Sequence, residues 1–186
     1  MSETVFETDR LTIREWTEGD VARLLEIYSD PEVTEHLTEC ALSNLEEAQT
    51  YLTRLVRTYT AFGDGYGLWA AVRKSDGLPV GTVLLKHLPG EDGIGTSDVE
   101  VGWHLARECW NRGYATEMAL GALAHGFTRQ GDSVIWAVTE EENLRSLAVM
   151  ERLGMTHRGM TRAYYGMECV LYEMTAERWR ALRSSP

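Results

Sequence analysis

The stretch from 99 to 127 constrains the fold of this chain more than any other. Val99-Glu100-Val101-Gly102-Trp103-His104-Leu105 has apolar residues at 99, 101, 103 and 105, the alternation of a β-strand. A short polar segment, Ala106-Arg107-Glu108-Cys109, leads into Trp110-Asn111-Arg112-Gly113-Tyr114-Ala115-Thr116-Glu117. Ala115, Met118, Ala119, Ala122, Leu123 and Phe127 then recur at the spacing of one buried helical face. Strand, glycine-bearing loop and helix in that order leave the first N–H groups and the positive end of a helix dipole at the loop. Gly113 has no Cβ to keep a ligand off the backbone, and Arg107 and Arg112 flank the turn. The segment reads as a phosphate cradle or as an ordinary strand-to-helix turn.

The rest of the chain supplies a frame for that unit. Phe6 to Trp16 reads as a first strand, with Leu11 and Ile13 on one face. Thr17-Glu18-Gly19-Asp20 signals a helix start ahead of Val21, Leu24, Leu25 and Tyr28, and Asp30-Pro31 starts a short helix to Leu37. Ser43-Asn44-Leu45-Glu46 is a capping box before a helix whose stripe is Ala48, Tyr51, Leu52, Leu55, Val56 and Tyr59. The glycine cluster 63–67 lies between a helix and a strand, the wrong order for a nucleotide fingerprint, and reads as a loop. Leu68–Arg73 and Val80–His87 form a hairpin around Ser75-Asp76-Gly77. Pro89 to Ser97 reads as a loop whose Asp92, with Asp98, fits no calcium spacing. Ser133–Thr139 is a β-rich strand, Asn143 caps a helix that Gly154 stops, and Met155–Arg162 and Met167–Met174 return as strands before a helix begun by Thr175.

The motif 110–117 resembles the signature of the GNAT superfamily of N-acetyltransferases, Gln/Arg-x-x-Gly-x-Gly/Ala, here Trp110-x-x-Gly113-x-Ala115. Trp at the first position, with Tyr114-Ala115-Thr116-Glu117 following, resembles the branch of ribosomal-protein alanine N-acetyltransferases (RimJ/RimL-like). Asn111 stands where that branch often has its first Gly, which narrows one backbone approach. A second segment, Asn143-Leu144-Arg145-Ser146 through Gly154-Met155, resembles the family's Asn-x-x-Ser-x-x-x-hydrophobic run. The resemblance implies an α/β fold (an α+β mixed sheet) of about six or seven mostly antiparallel strands with helices on both faces. Its parallel, splayed central pair would be Asp98–Leu105 and Ser133–Thr139, joined by a right-handed crossover. It implies acetyl-CoA as cosubstrate, held by Trp103, His104, Leu105, Arg107, Asn111, Arg112, Gly113, Tyr114, Ala115, Thr116, Asn143 and Ser146. In the family the Asn reaches the pantetheine arm and the Ser position lies near the thioester sulfur. Read alone, Asn143 is a helix cap and Ser146 a first-turn serine.

A single domain accounts for 186 residues, and 44% hydrophobic with 25% charged residues is enough to fill a core. Net charge −11 argues against a nucleic-acid surface and suits an amine-bearing acceptor, so positive potential for coenzyme A has to be concentrated locally. Cys40, Cys109 and Cys169 form no C-x-x-C pair, and neither zinc, another metal nor a disulfide framework is expected. No signal-like or membrane-length apolar run appears, so the expected setting is cytoplasmic, without membrane or nucleic-acid partners, as a monomer or homodimer.

Acetyl transfer to an amine requires a proton acceptor, a donor for the developing oxyanion, a stabilised thiolate and proximity. Glu100, opposite in parity to Val99 and Val101, is the candidate catalytic base, with a solvated or salt-bridged strand glutamate as the other reading. Ser146 is the candidate donor to the leaving sulfur, and His104, sharing the parity of Glu100, a backup base. Cys109 lacks a His–acid pair and is set aside as an acyl carrier. His87, Tyr164, Tyr165 and Glu168 are lesser candidates for acceptor contacts, in the regions 28–44 and 159–168 that motifs leave undefined. The competing functions are a non-catalytic acyl-CoA sensor of the same fold and an unrelated nucleotide-binding or protein-interaction domain.

Overall fold

The computed structural model describes residues 3–37, 40–62 and 65–184. Its strands are β1 (Thr4–Glu7), β2 (Leu11–Arg14), β3 (Gly67–Arg73), β4 (Pro79–Pro89), β5 (Gly95–Leu105), β6 (Val134–Thr139), β7 (Thr156–Thr161) and β8 (Cys169–Thr175). They form one eight-stranded sheet in the order β1-β2-β3-β4-β5-β6-β8-β7. Helices are α1 (Val21–Tyr28), α2 (Pro31–Thr34), α3 (Leu45–Phe62), α4 (Tyr114–His125), α5 (Leu144–Arg152) and α6 (Ala176–Ser184). Neighbouring strands run antiparallel except β5 and β6, which are parallel and joined through α4.

This is the mixed sheet with a parallel central pair that the sequence implied, with one strand more than the six or seven expected. The extra strand comes from Phe6–Trp16, which is not continuous. Thr8 N donates to Leu11 O at 2.9 Å, closing a turn that splits the segment into the β1–β2 hairpin. Pro89 to Ser97, read as a loop, belongs to strands at both ends, Pro89 to β4 and Gly95 onward to β5. Only a tight turn separates β4 from β5, closed by Gly90 N to Ile94 O at 2.7 Å, with Gly93 at φ +77°. The α3 cap sits one residue later than read: Asn44 Oδ1 accepts from Glu47 N at 2.9 Å, and Glu47 Oε2 returns to Ser43 N at 2.7 Å. Gly63 and Asp64 of the glycine cluster, and the side chain of Tyr59, lie outside the described residues.

The two sheet faces are covered by different helices. Tyr28 of α1 bonds Thr82 Oγ1 at 2.7 Å and His104 Nδ1 at 3.0 Å, so α1 lies over the even-numbered face of β4 and β5. The end of α4 lies over the other face, where a Cβ on Gly126 would meet Ile135 Cδ1 at 2.6 Å and Leu85 Cδ2 at 3.4 Å. Val83, Leu85, Val99, Val101 and Ile135 are buried there with Met118, Ala122 and Leu123, and removing such area from water is the main stabilising term.

One irregularity positions the site. β5 and β6 register at only two residue pairs, Val99 with Ile135 and Glu100 with Trp136. β5 follows β4 on to Leu105, while β6 follows β8 to Thr139. Past Glu100 the parallel strands therefore part, and a wedge opens toward their C-terminal ends, where ligands of open α/β sheets bind.

Candidate active site

The wedge leads into two adjoining cavities. The first, about 440 Å³, is lined by Trp103, His104, Leu105, Trp110, Asn111, Gly113, Tyr114, Ala115, Thr116, Asn143, Arg145, Ser146 and Arg152, with Glu32 and His36 on its outer side. The second, about 250 Å³, is lined by Tyr51, Lys86, Glu100, Val101, Gly102, Met150, Tyr165, Met167 and Cys169. They share a wall of His36, Leu37, Trp103, His104, Asn143 and Ser146.

The turn before α4 has the shape its sequence requires. Gly113 is the N-cap residue at φ +80°, and its oxygen accepts from Glu117 N at 3.0 Å. Asn111 takes φ +58°, the left-handed conformation that Asn tolerates best among residues with a side chain. It therefore does the conformational work of the glycine it replaces. Trp110 pins this turn to the end of β5, its Nε1 donating to Leu105 O at 3.0 Å. Glu117 holds the turn from behind: it accepts from the Thr8 hydroxyl at 2.6 Å, the Arg10 backbone N–H at 2.8 Å and Arg10 Nε at 2.6 Å. Burial works against the charge on Glu117, but these donors outweigh it and hold the carboxyl below its ordinary range.

The arginines expected at the cradle are placed differently. Arg107 forms an ion pair with Glu32 and does not line the cavity, and neither does Arg112, whose carbonyl accepts from Arg10 Nη1 at 2.9 Å. The arginines at the cavity are Arg145, stacked over the Trp110 ring at 4.2 Å, and Arg152. Both lie on α5 and were missed because a phosphate site was sought beside Gly113, not across the wedge from it.

Asn143 caps α5, its Oδ1 accepting from Ser146 N at 3.1 Å, and it lines both cavities. Ser146 faces the shared wall. Asn143, Ser146, Trp103 and His104 line the first cavity together with the α4 turn.

Glu100 is buried, 6% exposed, in the second cavity. Lys86 Nζ lies 3.0 Å from its Oε2, and the Tyr165 hydroxyl donates to that same oxygen. Lys86 also donates to the Tyr165 hydroxyl at 2.7 Å. Sequence reasoning gave Tyr165 a lesser place and missed Lys86, whose signal lies only in strand register: Lys86 stands directly across from Glu100. His36 and Glu140, also missed, join across the cavity rim at 2.6 Å.

His104 does not suit the role of backup base. Burial, and then the charge of Lys86, hold its pKa down to about 4, so it is a neutral imidazole with little affinity for an ammonium proton. Burial pushes the Cys109 thiol up, consistent with an inert side chain. His87 packs against Tyr66 at 5.0 Å, Tyr164 donates to Asp98 at 2.8 Å, and Glu168 pairs with Arg162 at 3.4 Å on the surface, so none of the three reaches the cavities. Among the described residues no cluster of three or more His, Cys, Asp or Glu is placed to hold a metal, and no helix is long and apolar enough to cross a membrane.

Comparison with known proteins agrees with this geometry. Residues 10–156 match the family model described as an acetyltransferase (GNAT) domain. The uncharacterized N-acetyltransferase p20 of Bacillus licheniformis is 27% identical over 162 residues, 87% of this chain and 87% of its own. The uncharacterized N-acetyltransferase YoaA of Bacillus subtilis is 26% identical over 86% of this chain and 87% of that one. Among solved structures, a GNAT-family acetyltransferase from Bacillus anthracis superposes with a TM-score of 0.74 at 23% identity, covering 92% of this chain and 98% of that one. RimL, a ribosomal L7/L12 alpha-N-protein acetyltransferase in complex with coenzyme A, gives 0.75 at 14% identity, covering 95% and 99%. At these identities the two structures speak for the fold.

Proposed function

This chain belongs to the GNAT acetyltransferases, which transfer an acetyl group from acetyl-CoA to an amine, and on that premise we propose how its two cavities divide the reaction. Acetyl-CoA occupies the first cavity, its pyrophosphate against the amides of the turn at Gly113 and its pantetheine arm along the open edge of β5. Asn143 donates to that arm. Arg145 and Arg152 supply the positive potential that a chain of net charge −11 has to concentrate at one place. The acceptor amine enters the second cavity. The observation that carries this reading is the shared wall: the two cavities meet at Trp103, Asn143 and Ser146, where a thioester and an amine would come within reach of each other.

The chemistry follows from the side chains at that junction. An alkyl ammonium gives one proton to Glu100, and the freed lone pair forms a C–N bond to the thioester carbonyl. As the adduct collapses the C–S bond breaks, and the second amine proton leaves with the thiolate, which Ser146 stabilises by a hydrogen bond. The products are the N-acetylated amine, the free thiol of coenzyme A and a proton that Glu100 returns to water. The second cavity is compact, with Leu37, Leu84, Met150, Met167 and Tyr51 in its walls, which favours a primary amine on a small apolar body. The N-terminal amine of a protein chain and a small alkylamine both meet that description.

Glu100→Gln tests the assignment through the pH dependence of thiol release with a panel of such amines. The expected loss in kcat/KM is largest at low pH and shrinks as the amine deprotonates unaided. A profile that follows the parent at every pH would remove Glu100 as the base.

A further inference from the structure

We propose that Lys86 and Tyr165 are positioning residues that both bind Oε2 of Glu100 and so reserve its Oε1 for the proton of the acceptor amine. The inference rests on the reading of Glu100 as proton acceptor and adds how that carboxylate is held. A carboxylate offers two oxygens with about four lone-pair directions, and its rotation about the last bond is soft. Here the ammonium of Lys86, 3.0 Å away, and the phenol of Tyr165 converge on one of the two oxygens. Lys86 closes the triangle with its bond to the Tyr165 hydroxyl at 2.7 Å and lies 4.9 Å from the centre of that ring. Three contacts among three side chains fix the carboxylate plane.

The placement of Tyr165 is itself built. Its φ is +58°, a left-handed conformation that a residue with a side chain holds only where neighbours impose it. Tyr165 N donates to Pro89 O at 3.3 Å, Gly90 bridges Tyr164, and the Tyr164 hydroxyl donates to Asp98 at 2.8 Å. The long β4–β5 hairpin thus holds the β7–β8 loop so that one tyrosine reaches back over Glu100. Burial, and then the carboxylate itself, push the Tyr165 phenol far up, which keeps it a donor. The other titratable groups lining the cavity with Glu100 are His104 on its own strand, Cys169 on β8, Tyr51 on α3, Cys40 ahead of that helix, and the His36–Glu140 pair. Burial and then Glu100 raise the Cys169 thiol, so it adds no charge.

The test compares kcat/KM against pH for the parent, Lys86→Met, Lys86→Arg, Tyr165→Phe and Glu100→Gln. Acetyl-CoA is the donor, and butylamine, phenethylamine and methionine amide are the acceptors. Acceptor-free hydrolysis of acetyl-CoA, run alongside, gives the same comparison with water as the nucleophile. Without the ammonium beside it the carboxylate loses one of its two anchors, so Lys86→Met is expected to impair the reaction most at the acid end of the profile. It should lower the rate at that end about tenfold, with the KM for acetyl-CoA unchanged. Lys86→Arg should recover most of the loss. Tyr165→Phe, which keeps the ring and sits in a partly exposed loop, should impair the reaction in the same way by less, and it serves if the lysine variant fails to fold. If Glu100→Gln is impaired while the Lys86 and Tyr165 variants follow the parent, the positioning role is wrong and the base assignment survives. If Glu100→Gln also follows the parent, both fall together.

Discussion

Arg10 Nε donates to Glu117 Oε2 at 2.6 Å, tying the β1–β2 turn to the first turn of α4. The glutamate that completes the Tyr-Ala-Thr-Glu run therefore serves the shape of the cradle and does not touch its contents. Its carboxyl titrates lower in the folded chain than in the unfolded one, so the unfolded chain takes up the proton first as pH falls. The stabilisation is full above the unfolded value of 4.5 and drains away as pH descends through the folded value. Glu117→Gln should accordingly lower Tm at pH 7 and flatten the acid limb of a Tm–pH curve. Parallel curves for parent and variant below pH 4.5 would show that the tie carries no pH-dependent stability.

Gly113 has room for a Cβ, which would meet only Arg10 Nη2 at 3.4 Å, but its φ of +80° strains any other residue. Gly113→Val should cost roughly 1–2 kcal/mol of stability, a Tm loss of several degrees. It should also weaken acetyl-CoA binding by at least about tenfold, since the branched side chain would stand at the proposed phosphate site. Calorimetry on the folded variant separates the two effects, and unchanged affinity would move the phosphate site elsewhere.

Asn143 caps α5 with its oxygen on the Ser146 amide and also lines both cavities. Asn143→Asp preserves the cap, because both residue types cap well, and removes the donor. Thermal stability should stay within about 0.5 kcal/mol of the parent while acetyl-CoA binding or turnover drops. Full turnover would leave Asn143 only its structural duty.

For Ser146 the expectation is smaller than for Glu100. Ser146→Ala should lower kcat roughly ten- to hundredfold, the loss of one transition-state hydrogen bond, with little change in KM for either substrate. A loss confined to KM would make it a binding contact and not a partner of the leaving sulfur.

Residues whose role is local were readable in the chain itself. The strand at Val99–Leu105, the glycine before α4 and the Asn143 cap each depend on neighbours within a few positions, and all three appear as expected. What was hidden depends on distant segments meeting. Arg107 looks free for phosphate until α2 brings Glu32 to it. Lys86 gains meaning only from the register that sets it across from Glu100, and Tyr165 only from the hairpin that holds its loop. The β1–β2 break was missed because Thr8, Asp9 and Arg10 carry no glycine or proline to announce a turn.

The parting of β5 and β6 after their second registered pair leaves an unfinished ladder in the middle of the sheet. An extended, amide-bearing pantetheine arm has the hydrogen-bonding pattern of a short peptide strand. Loaded with its cosubstrate, the protein would close its sheet with a guest in place of a strand. Amide hydrogen exchange from Val101 to Leu105 would then slow on loading and recover when the spent thiol departs.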